Sequence, residues 1–384
     1  MSNRIILNET SYFGSGAIAS IADEIKKRGF KRAMLVTDRD LIKFNVAQKV
    51  IAILDFNKMP YAVFDDIQAN PTIENVQAGV AFCNRMKFDY IIAVGGGSVI
   101  DTAKAIAIIA KNPEHVDVAS LEGAVDTENK SLPLIAVPTT AGTAAEVTIN
   151  YVITDTENRR KFVCVDPHDI PIVAVIDPDM MASMPKSLTA STGMDALTHA
   201  IESYICKGAW EMSDMFALEA IKLIGRSLEK VTNTGNSDAR QDLALAQYVA
   251  GMGFSNVGLG IVHSMAHPLG AVYDTPHGVA NAIILPTVME YNAPETGNKY
   301  QKIAKALGVL QTSTMSPEEY RKAAIDAVKK LSVSVGIPAK LSDVGVKLED
   351  VDFLAESAFA DVCTGGNPRT TSVEEIAELY KSML

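Results

Sequence analysis

Tyr90-Ile91-Ile92-Ala93-Val94 runs directly into Gly95-Gly96-Gly97-Ser98-Val99-Ile100-Asp101, and an apolar helical pattern then continues to Ala110. A buried strand that ends in glycines and opens a helix can hold an anion on physical grounds alone. Glycine lets a phosphate approach the backbone, while the unpaired N–H groups and the dipole of the helix start favour negative charge. Ser98 and Asp101 have the spacing of a capping box, with Asp where Glu or Gln is usual. A plain Gly-rich connection would look the same, and the GxGxxG fingerprint of dinucleotide folds is missing here.

The surroundings of this turn set the fold class. Arg32–Thr37, Tyr61–Phe64, Leu134–Val137 and Ile172–Ile176 are also short apolar runs rich in β-branched residues. They lack polar alternation, as parallel strands covered on both faces do. Helical patterns at Ser15–Lys27, closed by Gly29, and at Ile73–Arg85 alternate with them, which predicts a right-handed parallel α/β layer. After Met184-Pro185 the strand pattern stops, and Leu188–Ile205, Met212–Lys230, Asp242–Met252 and Glu318–Val335 read as helices. The expected organisation is an α/β dinucleotide-binding domain over residues 1–184 and an all-helical domain over residues 185–384.

Composition narrows the class of function. The 384 residues are 48% hydrophobic and 21% charged, with a net charge of −11, an ordinary globular balance without a basic footprint for nucleic acid. Four cysteines without CxxC spacing fit a reducing compartment. Residues 1–16 lack a basic segment followed by an apolar stretch, and no apolar run is long enough to span a membrane. A cytoplasmic enzyme acting on a small molecule is expected.

Two further features bear on chemistry. Asp38 ends the Arg32–Thr37 run, where a carboxylate can accept from the ribose hydroxyls of NAD and repel a 2′-phosphate. It precedes the glycine turn, however, the reverse of the usual order, so Asp38 is either a turn residue or part of another dinucleotide fold. Pro138-Thr139-Thr140-Ala141-Gly142-Thr143 follows another strand and offers hydroxyls and backbone donors, or simply a polar turn. In the second half, Asp195 and His199 stand at i, i+4 in MDALTHA, and His263 and His267 do so in GIVHSMAHPLGAVYDTPHG, so a helix puts each pair on one face. His277, between Pro276 and Gly278, reads as a turn residue aimed back toward that helix. Taken singly, each histidine is explained as a satisfied core residue. One carboxylate with several imidazoles is instead a mixed N/O set suited to divalent iron or zinc with room for substrate. His115 and His168 fall in polar loops and read as surface residues.

These segments together, GGGSVIDTAK (95–104), PTTAGTAAEVT (138–148), MDALTHAIE (194–202) and the GxxHxxAHxxG…PHG pattern of Gly260–Gly278, resemble the iron-containing alcohol dehydrogenases over essentially the whole chain. The resemblance implies the dehydroquinate synthase-like fold of that family, in which the order of Asp38 and the glycine turn is accounted for. It implies that Asp195, His199, His263 and His277 bind iron, with zinc as a possible substitute, and that His267 lies beside the metal as a catalytic proton relay. It implies that Asp38, Asn70, Gly96, Gly97, Ser98, Thr139, Thr140, Thr143, Asn150 and Lys161 contact NAD, and that Phe254 and Cys363 line the substrate pocket. The expected reaction is reversible hydride transfer between NADH and a short 2-hydroxyaldehyde, lactaldehyde and 1,2-propanediol being the expected pair, in a cleft between the two domains. The alternatives are a general short-chain alcohol or 1,3-propanediol dehydrogenase of the same family and, further off, a dehydroquinate-synthase-type lyase. The lyase would need Lys and Arg grouped beside the metal motif to hold a phosphorylated acid. A homodimer is expected, paired through the edge of an N-terminal strand RIILN (residues 4–8).

Overall fold

A computed structural model describes residues 2–384. The chain forms two compact units, one of them comprising residues up to Thr140, Ala144–Asn158 and Phe162–Met184. Its elements are β1 (Thr10–Phe13), α1 (Ser20–Arg28), β2 (Ala33–Val36), α2 (Arg39–Lys43), α3 (Ala47–Phe56), β3 (Tyr61–Phe64), α4 (Ile73–Met86), β4 (Tyr90–Gly95), α5 (Gly97–Ile109), β5 (Gly123–Ala124), β6 (Leu134–Pro138), β7 (Asn150–Asp155), β8 (Arg160–Val165) and β9 (Val173–Ile176). Six strands form one sheet in the order β1-β9-β6-β4-β2-β3, and β5-β8-β7 form a smaller one.

The large sheet is parallel at each of its five pairings. Its apolar runs are explained by burial of both faces. Leu35, Ile92, Val94, Val137 and Val175 pack with Ile21, Ile25, Val50 and Leu54 of α1 and α3. Met34, Val36, Ile91 and Ala93 pack on the opposite side with Ile100, Ala103 and Ile106 of α5. Alternate residues of each strand thus enter different cores. The register Val36↔Ala93 sets β2 beside β4, and Gly95↔Pro138 sets β6 on its other side.

Two sequence expectations fail in this unit. RIILN forms no strand; the edge strand is β1, four residues running Thr10–Phe13 and paired to β9. The helix after the glycine turn begins at Gly97 with Gly96 as its cap and has no side-chain cap. Asp101 does not close a box with Ser98, because its Oδ2 accepts from the Val152 N–H of β7 at 3.0 Å.

The second unit comprises Ala141–Thr143, Arg159–Lys161 and Pro185–Leu384. Its helices are α6 (Lys186–Ile205), α7 (Glu211–Thr234), α8 (Ser237–Val257), α9 (Ile261–Tyr273), α10 (His277–Asn292), α11 (Lys299–Ala306), α12 (Pro317–Ser334), α13 (Val351–Ala360) and α14 (Val373–Ser382). The last two turns of α6 are buried all round, the mark of a central helix. His277 is the first residue of α10, after Pro276, and not a turn residue as its flanking Pro and Gly suggested. Among the described residues, no single helix is long and apolar enough to cross a membrane.

Candidate metal centre and nucleotide turn

In the first unit, strand adjacency explains the order of the nucleotide motifs. Asp38 stands just past β2, the glycine turn follows β4, and Thr139 follows β6, so all three lie at the carboxyl ends of neighbouring parallel strands. Ligands bind at that edge of open α/β sheets. The Thr139 N–H donates to the Gly95 carbonyl at 3.0 Å. A Cβ on Gly96 would lie 3.2 Å from the Thr140 side chain. Asp38 is also a cap: its carboxylate accepts from the Leu41 N–H at 2.8 Å, and burial pushes its pKa up. Asn70 lies on the loop after β3 with φ of 58°, and the Asn150 carbonyl at the start of β7 accepts from Lys104 Nζ at 2.9 Å. Thr143 and Lys161 belong to the second unit.

In the second unit, Asp195, His199, His263 and His277 each offer a ligand atom, and these atoms lie within 4.8 Å of one another. The i, i+4 spacing on α6 supplies the first two, α9 the third, and the start of α10 the fourth. The Asn281 amide nitrogen is 2.7 Å from Asp195 Oδ1, 3.2 Å from His263 Nε2 and 3.1 Å from His277 Nε2. An amide nitrogen has two hydrogens for these three acceptors, so lone pairs are in excess at this point. Asn281 Oδ1 and His199 Nδ1 are buried there without a hydrogen-bond partner. Burial lowers the pKa of His199, His263 and His277, the last two strongly, while it raises that of Asp195 against the pull of His199 and the Asn281 amide. Neutral imidazoles and a carboxylate converging on one point are a donor set that fits a divalent cation.

Two carboxylates hold the rings of α9. Glu202 Oε2 lies 2.5 Å from His263 Nδ1, and Glu202 Oε1 accepts from the Val262 N–H at 2.7 Å. Glu202 therefore caps α9 and holds His263 with Nε2 toward the cluster, as metal-binding histidines are commonly held. Burial pushes Glu202 up to about 8, against the α9 backbone donors that pull it down. Asp361 Oδ2 lies 2.7 Å from His267 Nδ1. The two α9 histidines, alike in spacing, thus differ in place: His263 Nε2 faces Asn281 with the other ligands, whereas His267 stacks on the His277 ring at 5.4 Å.

Of the two pocket candidates, Phe254 touches the donor set and Cys363 lies beside Asp361. Phe254 of α8 is buried and stacks on the His199 ring at 4.2 Å. Cys363 is partly buried, its N–H donating to Asp361 Oδ1 at 2.8 Å; burial, then the Asp361 charge, drives its thiol pKa well up. Lys161 reaches Gly270 of α9, where a Cβ would sit 2.8 Å from its Nζ, and its charge bears on Asp195 and His277. Four contributors were missed in the sequence. Glu202 continues the Asp195–His199 face at i+7, and Asn281 is at i+4 from His277, so helical spacing could have found both. Gly278 is required because a Cβ there would lie 2.2 Å from the Ser191 carbonyl and 3.2 Å from Asp195 Cβ. Asp361, far along the chain, carried no local signal.

Comparison with known proteins follows the same division. Residues 8–178 match the iron-containing alcohol dehydrogenase family, and residues 189–384 match the C-terminal region of the Fe-containing alcohol dehydrogenase family. The chain is 57% identical over 380 residues to lactaldehyde reductase of Escherichia coli K12, covering 99% of both chains. It is similar to the crystal structure of a 1,3-propanediol oxidoreductase, with a TM-score of 0.96, 40% identity and full coverage of both chains. It is also similar to the structure of sulfoacetaldehyde reductase from Bifidobacterium kashiwanohense in complex with NAD+, with a TM-score of 0.88, 28% identity and coverage of 100% and 99%.

Proposed function

This chain belongs to the iron-containing alcohol dehydrogenase family, and from that premise we propose that it interconverts lactaldehyde and 1,2-propanediol with NAD(H). The observation that carries the reading is the set of four converging donors, Asp195, His199, His263 and His277, in a chain so similar to a lactaldehyde reductase. Those four residues would hold the iron, and zinc would fit the same donors. Iron(II) at such a site supplies Lewis-acid polarisation of a carbonyl oxygen, and NADH supplies the hydride.

The chain's own residues do the rest. Gly96, Gly97 and Ser98 open α5 and offer backbone N–H groups to the cofactor phosphates. Thr139 and Thr140 add hydroxyls beside them, and Asp38 selects the ribose that carries no 2′-phosphate. Asn70 and Asn150 complete the nucleotide contacts of the first unit. Phe254 and Cys363 shape the pocket for a short 2-hydroxyaldehyde. His267 handles the proton: in alcohol oxidation Nε2 accepts the hydroxyl proton, and in aldehyde reduction the imidazolium returns it. We read the enzyme as cytoplasmic, which its four unpaired cysteines support, and as a homodimer formed through the outer edge of β1.

The test is NADH oxidation, followed by absorbance, with lactaldehyde, propanal and, in the reverse direction with NAD+, glycerol. The proposal expects kcat/KM to be highest for lactaldehyde. Preference for propanal or glycerol would move the assignment to a general alcohol or 1,3-propanediol dehydrogenase.

A further inference from the structure

We propose that Asp361 is a positioning residue that fixes His267 in a single tautomer and so sets which ring nitrogen can exchange a proton with substrate. The inference rests on the reading of His267 as the proton-transfer group. Asp361 begins the short turn Val362–Gly366 after α13. Its Oδ1 accepts from the Cys363 N–H at 2.8 Å and lies 3.4 Å from Ser264 Oγ, while Oδ2 is 2.7 Å from His267 Nδ1. Both side chains of that pair are under a tenth exposed, so water competes little for the bond. Burial alone would raise the Asp361 pKa, but the His267 ring, its hydrogen bond and the Cys363 amide outweigh it and hold the carboxyl below its usual range. An ionised carboxylate only accepts. In the neutral ring the proton therefore sits on Nδ1, and Nε2 carries the lone pair.

Glu202, the α6 carboxylate beside His263, is bonded differently from Asp361. Glu202 accepts from two α9 backbone N–H groups, Val262 at Oε1 and His263 at Oε2, and so is part of that helix's start. Asp361 makes no bond to the α9 backbone; it joins the His267 ring to the turn that carries Cys363. That turn is pinned to α9 and α13 without Asp361, because Thr364 Oγ1 is 2.8 Å from Ser264 Oγ and 2.7 Å from the Ala358 carbonyl. Asn at position 361 can keep the Cys363 bond through its carbonyl oxygen. Its NH₂ would then face Nδ1 as a donor, forcing the ring proton to Nε2, and a wrong tautomer of this kind disables a proton-accepting histidine.

The experiment compares iron-loaded wild type, Asp361→Asn, His267→Ala and the double variant for kcat, KM for lactaldehyde, iron content and NADH binding. Asp361→Asn should lower kcat by roughly 10²-fold, the scale of a lost proton-transfer group, with KM, iron content and NADH affinity nearly unchanged. In the His267→Ala background it should change kcat by less than about twofold, since two residues acting as one unit are not additive. Equal losses in both backgrounds, or loss of iron from Asp361→Asn, would overturn the proposal. A slow His267→Ala enzyme with Asp361→Asn at wild-type turnover would refute the positioning role alone. Unchanged turnover in His267→Ala would refute the relay itself.

Discussion

The glycine turn after β4 and the donor cluster on α6, α9 and α10 present ligand groups in opposite ways. The first works with backbone: Gly96 and Gly97 start α5 with no side-chain cap, and what matters is that atoms are missing. The second works with side chains drawn from three helices, each oriented by a neighbour such as Glu202 or Asn281. A backbone site is fixed as soon as the strand and helix form. A side-chain site also needs close helix packing and a surrounding layer of hydrogen bonds to hold its donors. Substitutions that touch no donor should therefore harm the cluster more than the turn.

Gly278→Ala breaks or sustains this contrast most sharply. The added carbon would meet the Ser191 carbonyl at 2.2 Å, a backbone atom that cannot yield as a flexible side chain would. Overpacking of this kind costs about 1–3 kcal/mol, and it would separate α10 from α6 between His277 and Asp195. Iron affinity should fall by roughly 10- to 100-fold as measured by titration of the chelated protein, with NADH binding intact. Wild-type iron affinity in this variant would mean that the cluster does not depend on that close approach.

In the nucleotide half the comparable change is one of charge. Like charges about 4 Å apart at an effective dielectric near 20 repel by roughly 4 kcal/mol, before discount for the partial exposure of Asp38. Asp38→Gly should gain on the order of tenfold in kcat/KM for NADPH and lose some for NADH. A variant still as strict for NADH would show that Asp38 is only the cap of α2. The smallest effect belongs to Cys363→Ser. Hydride transfer needs no covalent intermediate, so the substitution should keep kcat within about tenfold and act mainly on substrate KM. A thiol adduct trapped with substrate would contradict this.

The same contrast explains what the sequence disclosed. Strands buried on both faces are continuous apolar runs, and β2, β3, β4, β6 and β9 all fell where those runs are. β7 and β8 carry no such run: the residues of Asn150–Asp155 alternate between buried and partly exposed, but Tyr151, Val152 and Ile153 are consecutive apolar residues, so the alternation is set by pairing and not by composition. The edge strand was misplaced onto RIILN, which is more apolar than Thr10–Phe13; pairing to β9, not composition, decides which segment is the strand. On the helical side, i, i+4 spacing singled out Asp195 with His199 and His263 with His267, and helical spacing extended would also have reached Glu202 and Asn281. It could not disclose Asp361, which reaches His267 only through tertiary folding, nor could it tell His263 from His267. The His277 ring lies beside both, at 5.3 and 5.4 Å, and their difference lies in the polar groups that face each ring: Glu202 and Asn281 for His263, Asp361 for His267.

Iron content per subunit in purified His263→Ala and His267→Ala separates these two identically spaced histidines. His263→Ala removes one of four protein donors and should purify with little iron, and its turnover should fall about 10³-fold or more with the loss of several kcal/mol of charge stabilisation. His267→Ala should retain close to one iron per subunit while turning over slowly. Loss of iron from His267→Ala as complete as that from His263→Ala would make both α9 histidines metal ligands and leave no separate proton-transfer residue.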